Sequence, residues 1–305
     1  MHSQSPFSPV ITCRPALPMD TPQVLELAKH IWDGHDYLPY VWEEWLAEPR
    51  GLLCVAEYGS RIAGVGKLTL LSPGQWWLEG LRVHPEFEGR GFASHINDYL
   101  LGHWLQHGQG FIRLTTSSER VKVHQLCAHR GFVKTGEYSV YGAPVIDEPV
   151  SSFTPLLLEE IPRALEFAQQ SPVLPLLNCL MDHGWRWGAP SAESLESAVR
   201  AGQAWWWQAR SGLLTYDEDE DDGKKYLALH LITCPVEVIA GCLLDFRRLA
   251  ASQGHADAVW TVPHHPELLR ILADAGFKQV WNEVLYLFEK QHPGLGSRAD
   301  TPISD

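Results

Sequence analysis

Glu-Gly-Leu-Arg-Val-His-Pro-Glu-Phe-Glu-Gly-Arg-Gly-Phe-Ala, residues 79–93, is the stretch on which our interpretation of the chain depends. It completes an apolar-rich run from Trp76 to Val83 that predicts a β-strand, and Pro85 ends this strand because proline has no N–H for the ladder. The glycine pair of residues 89–91 follows, and apolar residues then recur at helical spacing over residues 94–106. The pattern predicts a strand, a glycine loop and a helix in direct succession.

A glycine loop that enters a helix is suited to binding an anion. Its backbone N–H groups can point at the ligand, the helix macrodipole favours negative charge, and Arg90 can add a charge-assisted contact. Neither of the two common nucleotide fingerprints matches, because Ser94 stands where G-x-G-x-x-G needs its third glycine and no Gly-Lys-Ser/Thr follows. The simpler alternative is an ordinary glycine turn before a helix.

The order of a strand, Val-His-Pro, a short spacer and Glu-Gly-Arg-Gly-Phe-Ala resembles the acetyl-CoA loop of the GCN5-related N-acetyltransferase (GNAT) superfamily, Gln/Arg-x-x-Gly-x-Gly/Ala. Glu88 departs from the pattern at its first position, where the family uses mainly the backbone. The resemblance implies that acetyl-CoA is the co-substrate and that the strand backbone pairs with its pantetheine arm at Leu81, Arg82 and Val83. It also implies that the pyrophosphate is held by Glu88, Gly89, Arg90, Gly91, Phe92, Ala93 and Ser94.

The elements predicted around this loop follow the order of the same fold. Residues 10–142 read as a strand, two helices, three strands, a helix, a strand, a helix and a strand, which implies an α/β fold with a mixed twisted sheet and flanking helices. The stretch Leu126–Phe132 resembles the family's Leu-Tyr-x-x-x-Gly-Phe, with Cys127 in place of the tyrosine.

The second half of the chain repeats part of this pattern. Residues 272–277 again run from a short helix into Gly-Phe and a strand, which predicts a tandem duplication. The second copy lacks the loop, since residues 235–241 contain neither paired glycines nor arginine. We predict an N-acetyltransferase domain at 10–145, a linker at 142–155, a degenerate second domain at 155–290 and a loose tail at 291–305. The six acids of residues 217–222 predict a solvated turn, with a docking site as the alternative.

Composition excludes several classes of function. A net charge of −13 argues against a nucleic-acid partner, although residues 79–134 carry seven Lys or Arg against five acids. No apolar run approaches the length of a membrane span, and the first nine residues do not resemble a secretory signal. Six cysteines without paired spacing predict free thiols in a reducing, cytoplasmic compartment. His103 and His107 share a helix face, but no third ligand is evident, so we expect no metal site.

Acetyl transfer to an amine needs a general base and benefits from a general acid. Glu79 is our candidate base because it lies on the strand beside the expected reactive carbonyl, and an ion-paired structural Glu79 is the alternative. Cys127 occupies the position of the family's tyrosine acid and could donate a proton or be an inert buried thiol. Tyr138, on the following strand, could replace it, and the sequence does not rank the two.

The segment after the first helix contributes the candidate acceptor pocket. Residues 36–40, Trp45 with its neighbour Leu46, and residues 79–83 resemble the subgroup of N-acetyltransferase 16 and the histidine N-acetyltransferases. The resemblance implies a small amine acceptor such as free histidine, with Asp36 pairing with a cationic group. An aminoglycoside or a peptide N-terminus remains possible, and a CoA-binding regulator without transfer activity is the alternative function. The predicted acceptor residues are Asp36, Tyr37, Tyr40 and Trp45.

Overall fold

The computed structural model describes residues 10–221 and 223–294, and its contacts divide the chain into two units. Of the described residues, the first unit comprises 10–113 and 290–294, and the second unit comprises 114–221 and 223–289. This division by contacts differs from the predicted boundary near residues 145–155. The predicted domains therefore stay a prediction.

The first unit contains most of the elements predicted around the glycine loop. The helices are α1 (Thr21–Ala28), α2 (Leu38–Ala47) and α3 (Phe92–His107), and the strands are β1 (Ile11–Pro15), β2 (Leu52–Tyr58), β3 (Arg61–Ser72), β4 (Gln75–Val83) and the start of β5 (Phe111–Ser117).

Strand β4, which carries predicted site residues, lies between β3 and β5 in the sheet of this unit. Strands β1, β2, β3 and β4 are antiparallel neighbours in that order, and β4 then pairs in parallel with β5. The parallel pairing covers only Gln75, Trp76 and Trp77 of β4. The site-bearing residues of β4, from Glu79 onward, therefore lie beyond this pairing.

The second unit begins with the end of β5 and continues with α4 (Val121–His129), β6 (Val133–Pro144) and β7 (Phe153–Pro155). The remaining elements are α5 (Ile161–Gln170), β8 (Met181–Asp182), β9 (Trp187–Gly188), α6 (Ala192–Arg200), β10 (Ala204–Trp207), β11 (Gly212–Asp221), β12 (Lys224–Thr233), α7 (Ile239–Ser252), β13 (Asp257–Pro263), α8 (Pro266–Asp274), β14 (Lys278–Gln279) and β15 (Leu285–Gln291).

The main sheet of the second unit follows the order β15, β6, β13, β12, β11, β10 and β7. Strands β12 and β13 are parallel, as β4 and β5 are in the first unit, and the other neighbours are antiparallel. Leu227, Leu229 and Leu231 of β12 point into the core with helices α5 and α7, so one face of β12 is buried.

Two predictions for the second half of the chain, the acidic turn at residues 217–222 and the start of the linker at residue 142, are wrong. Residues 217–221 of the acidic run belong to β11 and pair with β12, whereas residue 222 lies outside the described part of the chain. Strand β10 pairs only with residues 212–215 of β11, so residues 217–221 have a strand partner among the described residues on the β12 side alone. Their backbone is paired there, and the side chains of residues 218–221 are exposed to solvent. The predicted linker also begins later, because β6 continues to Pro144 and pairs there with β13.

The last described residues are held by contacts with the first unit's own elements. The N–H of His292 donates to the carbonyl of Gly110 at 2.8 Å, and its ring meets Trp104 edge-on at 5.0 Å. Residues 295–305 of the predicted tail lie outside the described residues. Within residues 10–221 and 223–294, we find no helix that is both long and apolar enough to cross a membrane.

Candidate active site

Strand β4 carries a bulge at the residues predicted to surround the reaction centre. Lys67 of β3 pairs with Glu79, whereas Val65 pairs with Arg82, so two residues of β4 share one residue of β3. A bulge of this kind leaves one backbone position out of the ladder and bends the strand. Gly80, which lies in the bulge, has φ of +67°. The bulge therefore depends on a backbone conformation that glycine adopts without a steric penalty.

Gly80 is also required by a close contact with helix α2. A Cβ atom at this position would lie 2.5 Å from two atoms of the Trp45 indole. Trp45 is buried and belongs to the core that α1 and α2 form with strands β2 and β3. The predicted acceptor residue Trp45 therefore packs directly against the bulge.

The loop between β4 and α3 presents backbone N–H groups at a helix N-terminus. A single 3-10 turn, Pro85–Phe87, follows β4, and Gly91 precedes the first residue of α3. Gly89 and Gly91 have φ of +74° and +88°. The first helical hydrogen bond runs from the N–H of His95 to the carbonyl of Gly91, so the three preceding N–H groups have no acceptor within the helix. This arrangement fits an anion such as a pyrophosphate.

The side chains of the loop leave this helix end open to solvent. Glu88 and Arg90 are exposed, and the N–H of Glu88 donates to the carbonyl of Pro85 at 3.2 Å. The Arg90 guanidinium carbon lies 5.6 Å from the centre of the Phe87 ring, which is itself buried. The exposed Arg90 thus lies two positions before Phe92, the first residue of α3.

Asp36 and Arg82 form a buried ion pair beside the bulge. The Nε of Arg82 donates to one Asp36 carboxylate oxygen at 2.9 Å and its Nη2 to the other at 3.1 Å. The N–H of Leu38 donates to the same carboxylate at 3.2 Å. The two side chains are 0% and 9% exposed, in that order. The Asp36 carboxylate is therefore engaged within the protein by the Arg82 side chain and the backbone of Leu38.

Aromatic rings cover the guanidinium of Arg82. Its Cζ lies 4.2 Å from the Trp32 ring centre and 5.0 Å from that of Tyr37. Tyr37 also meets Trp45 edge-on at 6.2 Å, whereas Tyr40 is 88% exposed and stands apart from this stack. Trp32 has φ of +48° in a turn of three consecutive residues with positive φ. The segment predicted to contact the acceptor thus forms a stacked wall over Arg82.

Glu79 is half-buried at the edge of the bulge. Its carboxylate accepts a hydrogen bond from the Thr69 hydroxyl, and Lys67 is its partner residue on β3. The Lys67 ammonium lies 5.8 Å from the Trp45 ring, and its side chain is buried. The surroundings of Glu79 are compatible with both roles that the sequence leaves open, a base and a structural ion-pair partner.

Cys127 and Tyr138 belong to the second unit, not to the unit that holds Glu79. Cys127 is buried, and burial raises the pKa of its thiol to about 12, so it stays protonated at neutral pH. The Tyr138 hydroxyl accepts a hydrogen bond from the Asn178 amide at 3.1 Å, and its ring lies 5.3 Å from that of Trp187. Both residues therefore sit in packed surroundings of the second unit.

Three residues of the site were not singled out from the sequence. Trp32 stacks on Arg82, Lys67 faces Glu79 across the strands, and Thr69 donates to the Glu79 carboxylate. A lysine and a threonine at alternate positions of the apolar strand β3 were an available signal, because buried polar side chains need partners. Trp32 gave no signal beyond its place in an aromatic-rich loop.

Comparison with known sequences points to one family. Residues 21–132 match the sequence model described as the Acetyltransferase (GNAT) family. A curated relative, "Histidine N-acetyltransferase" of Xenopus tropicalis, is 24% identical over 134 residues, which are 43% of this chain and 41% of the relative. The chain thus spans less than half the length of the curated relatives it matches.

Solved structures resemble both halves of the chain. A GCN5-related N-acetyltransferase from Sphaerobacter thermophilus has a TM-score of 0.62 at 12% identity, covering 92% of this chain and 95% of its own. A tandem GNAT protein from the clavulanic acid biosynthesis pathway has a TM-score of 0.59 at 13% identity, covering 95% of this chain and 100% of its own. At such identities the likeness concerns the fold alone.

Proposed function

We propose that this chain moves an acetyl group from acetyl-CoA to the amine of a small molecule. Residues 21–132 match the GCN5-related N-acetyltransferase family, and a solved tandem protein of that family shares the fold. The observation that carries the proposal is the loop before α3, where two glycines with positive φ expose the first N–H groups of the helix. No comparable glycine pair precedes α7, so we assign acetyl-CoA to the first copy only.

The residues of the loop suit the phosphates of acetyl-CoA. The N–H groups of Phe92, Ala93 and Ser94 would donate to the pyrophosphate, and the exposed Arg90 would add a charge-assisted contact. The backbone of residues 81–83 would hold the pantetheine arm. Bound there, acetyl-CoA supplies an activated thioester.

The bulge of β4 would place the chemical groups of the chain at the reacting carbonyl. The backbone position left out of the ladder near Gly80 offers an N–H where negative charge develops on the oxygen. Glu79 would take the proton of the acceptor amine, directly or through water, with the Thr69 hydroxyl fixing its orientation. Tyr138 and Cys127 stay candidates for returning a proton to the leaving thiolate.

We propose a small aromatic or imidazole amine, such as free histidine, as the acceptor. The wall of Trp32 and Tyr37 over Arg82 supports a shaped apolar surface for such a ring. Because both Asp36 oxygens bind Arg82, we assign Asp36 to holding this wall in place instead of binding the acceptor directly. The exposed Tyr40 would contact the acceptor only at the outer rim.

Release of free thiol from acetyl-CoA tests the proposal with a panel of amines. We expect turnover with free histidine or another aromatic amino acid, and much less with an aminoglycoside, a peptide N-terminus or a peptide lysine. Turnover with peptides but not with free amino acids would contradict the acceptor assignment. Acetyl-CoA binding in calorimetry without thiol release for any amine would instead support a CoA-binding regulator.

A further inference from the structure

The second unit contains a cavity of about 200 Å³ on the face of its sheet opposite the buried leucines of β12. This volume is well above the roughly 30 Å³ of one water molecule. Tyr226, Ala228 and His230 line it from β12, and the hairpin of β8 and β9 contributes Asp182 and Trp185. We propose that this cavity binds a small organic ammonium ion with an aromatic or apolar body. The site does not depend on the proposed acetyl transfer.

Asp182 is the group that points to a cationic ligand. Its side chain lines the cavity and is 8% exposed, and its Oδ1 atom has no hydrogen-bond partner among the described residues. Burial raises the pKa of this carboxyl, whereas His230 and the N–H groups of Trp185, Arg186 and His183 act to lower it. A buried carboxylate without a full set of partners is costly, so a bound ammonium donor would complete it.

The hairpin that carries Asp182 also presents an aromatic ring at the cavity. Gly184 and Trp185 have φ of +70° and +64°, and the N–H of His183 donates to the carbonyl of Arg186 at 2.7 Å across this two-residue turn. A two-residue hairpin turn of this kind requires positive φ at both of its central residues, so the turn itself fixes the position of the Trp185 ring. Trp185 is partly exposed and packs edge-on against Trp281 at 5.6 Å. Its ring can meet an organic cation or the apolar body attached to it.

Asp217 and Asp219 add negative charge at the rim of the cavity. Asp217 accepts a hydrogen bond from Gln203 at 2.7 Å, and Asp219 accepts one from the Tyr226 hydroxyl at 2.9 Å. These carboxylates favour a cation and disfavour a phosphate or carboxylate ligand. Among the described residues, no group of three or more His, Cys, Asp or Glu has a geometry that could hold a metal ion. An organic ammonium ion fits both the charge and the aromatic wall.

Titration calorimetry of the full chain without acetyl-CoA tests the site with tyramine, histamine and putrescine. 4-Ethylphenol, which has the body of tyramine without its ammonium, is the matched ligand control. We expect at least one amine to bind and 4-ethylphenol to bind more weakly than tyramine. Asp182→Asn should weaken amine binding about tenfold or more, because it removes a charged acceptor. Failure of all three amines to bind, or equal affinity for the variant and the parent, would overturn the proposal.

Two further variants separate this site from the proposed acceptor site. Ala228→Phe fills the cavity from an outward position of β12 and should also abolish binding. Tyr37→Ala, in the first unit, should leave it unchanged. Binding of the amine to all variants except Tyr37→Ala would instead place it at the proposed acceptor site of the first unit. That result would overturn this inference and leave the proposed function intact. Because Asp182→Asn removes an incompletely paired buried carboxylate, its melting temperature should not fall, which guards against misfolding as the cause.

Discussion

Replacing Gly80 with alanine should destabilise the first unit through two separable effects. An L-residue at φ of +67° costs about 1–2 kcal/mol in the backbone. The new Cβ would also lie 2.5 Å from the Trp45 indole, and forcing an atom into a packed core costs about 1–3 kcal/mol. We therefore expect Gly80→Ala to lower the free energy of unfolding by about 2–5 kcal/mol.

Gly59 provides a matched control within the same unit. It has φ of +64°, and a Cβ there would meet no atom within 4 Å. Gly59→Ala should therefore cost only the backbone part, about 1–2 kcal/mol. Urea unfolding of both variants, analysed by linear extrapolation, gives the difference that we assign to the Trp45 contact.

A double-mutant cycle tests the cause directly. Trp45→Phe shortens the side chain and removes the outer indole atoms, Cη2 and Cζ3, that the new Cβ would meet. In that background, Gly80→Ala should lower the free energy of unfolding no more than Gly59→Ala does. Because Tyr37 packs against Trp45, Gly80→Ala should also raise KM for the acceptor while leaving acetyl-CoA affinity unchanged. Equal losses of stability for Gly80→Ala and Gly59→Ala in the parent chain would refute this reasoning.

Three other outcomes follow from the structure. Gly91→Val should abolish acetyl-CoA binding in calorimetry and leave the circular dichroism spectrum unchanged, and normal binding would show that the site is misassigned. Glu79→Gln should lower turnover about 10²-fold or more with little change in acetyl-CoA affinity, and an unchanged pH–rate profile would make Glu79 structural. Hydrogen bonds from Arg14 hold the pKa of Asp20 below its usual range, so the stability that Asp20 contributes is complete above about pH 4 and is lost as the pH falls further. Asp20→Asn should remove this part of the acid dependence, and identical acid-unfolding curves for the variant and the parent would contradict it.

The parts of the fold that depend on neighbouring residues could be predicted from the sequence. Strand β4 ends before Pro85, the glycines at 89 and 91 have positive φ, and α4 ends before its Gly-Phe pair. The family and the tandem fold were recognised from these same local patterns, and the comparisons confirm both.

The parts of the fold and of the site that depend on contacts between distant residues could not be predicted from the sequence. Asp36 and Arg82 are 46 positions apart, and only the folded chain shows that the carboxylate belongs to Arg82. The acidic run predicts a turn from its charge alone. Residues 217–221 instead form part of a strand, in which Lys225 and Lys224 of β12 stand opposite Glu220 and Asp221 and offset their charge. Nor does any local pattern show that Asp182 and His230 line one cavity.

The two copies of the fold differ in the length of the connection that follows their central strand. Six residues lie between Pro85 and the start of α3 at Phe92, whereas three lie between Pro235 and the start of α7 at Ile239. Both connections keep the proline and a 3-10 turn, so the second copy lacks three residues of chain where the first has its glycine pair. Point substitutions alone would therefore not give the second copy a loop of the first copy's length. Three residues would have to be inserted there as well.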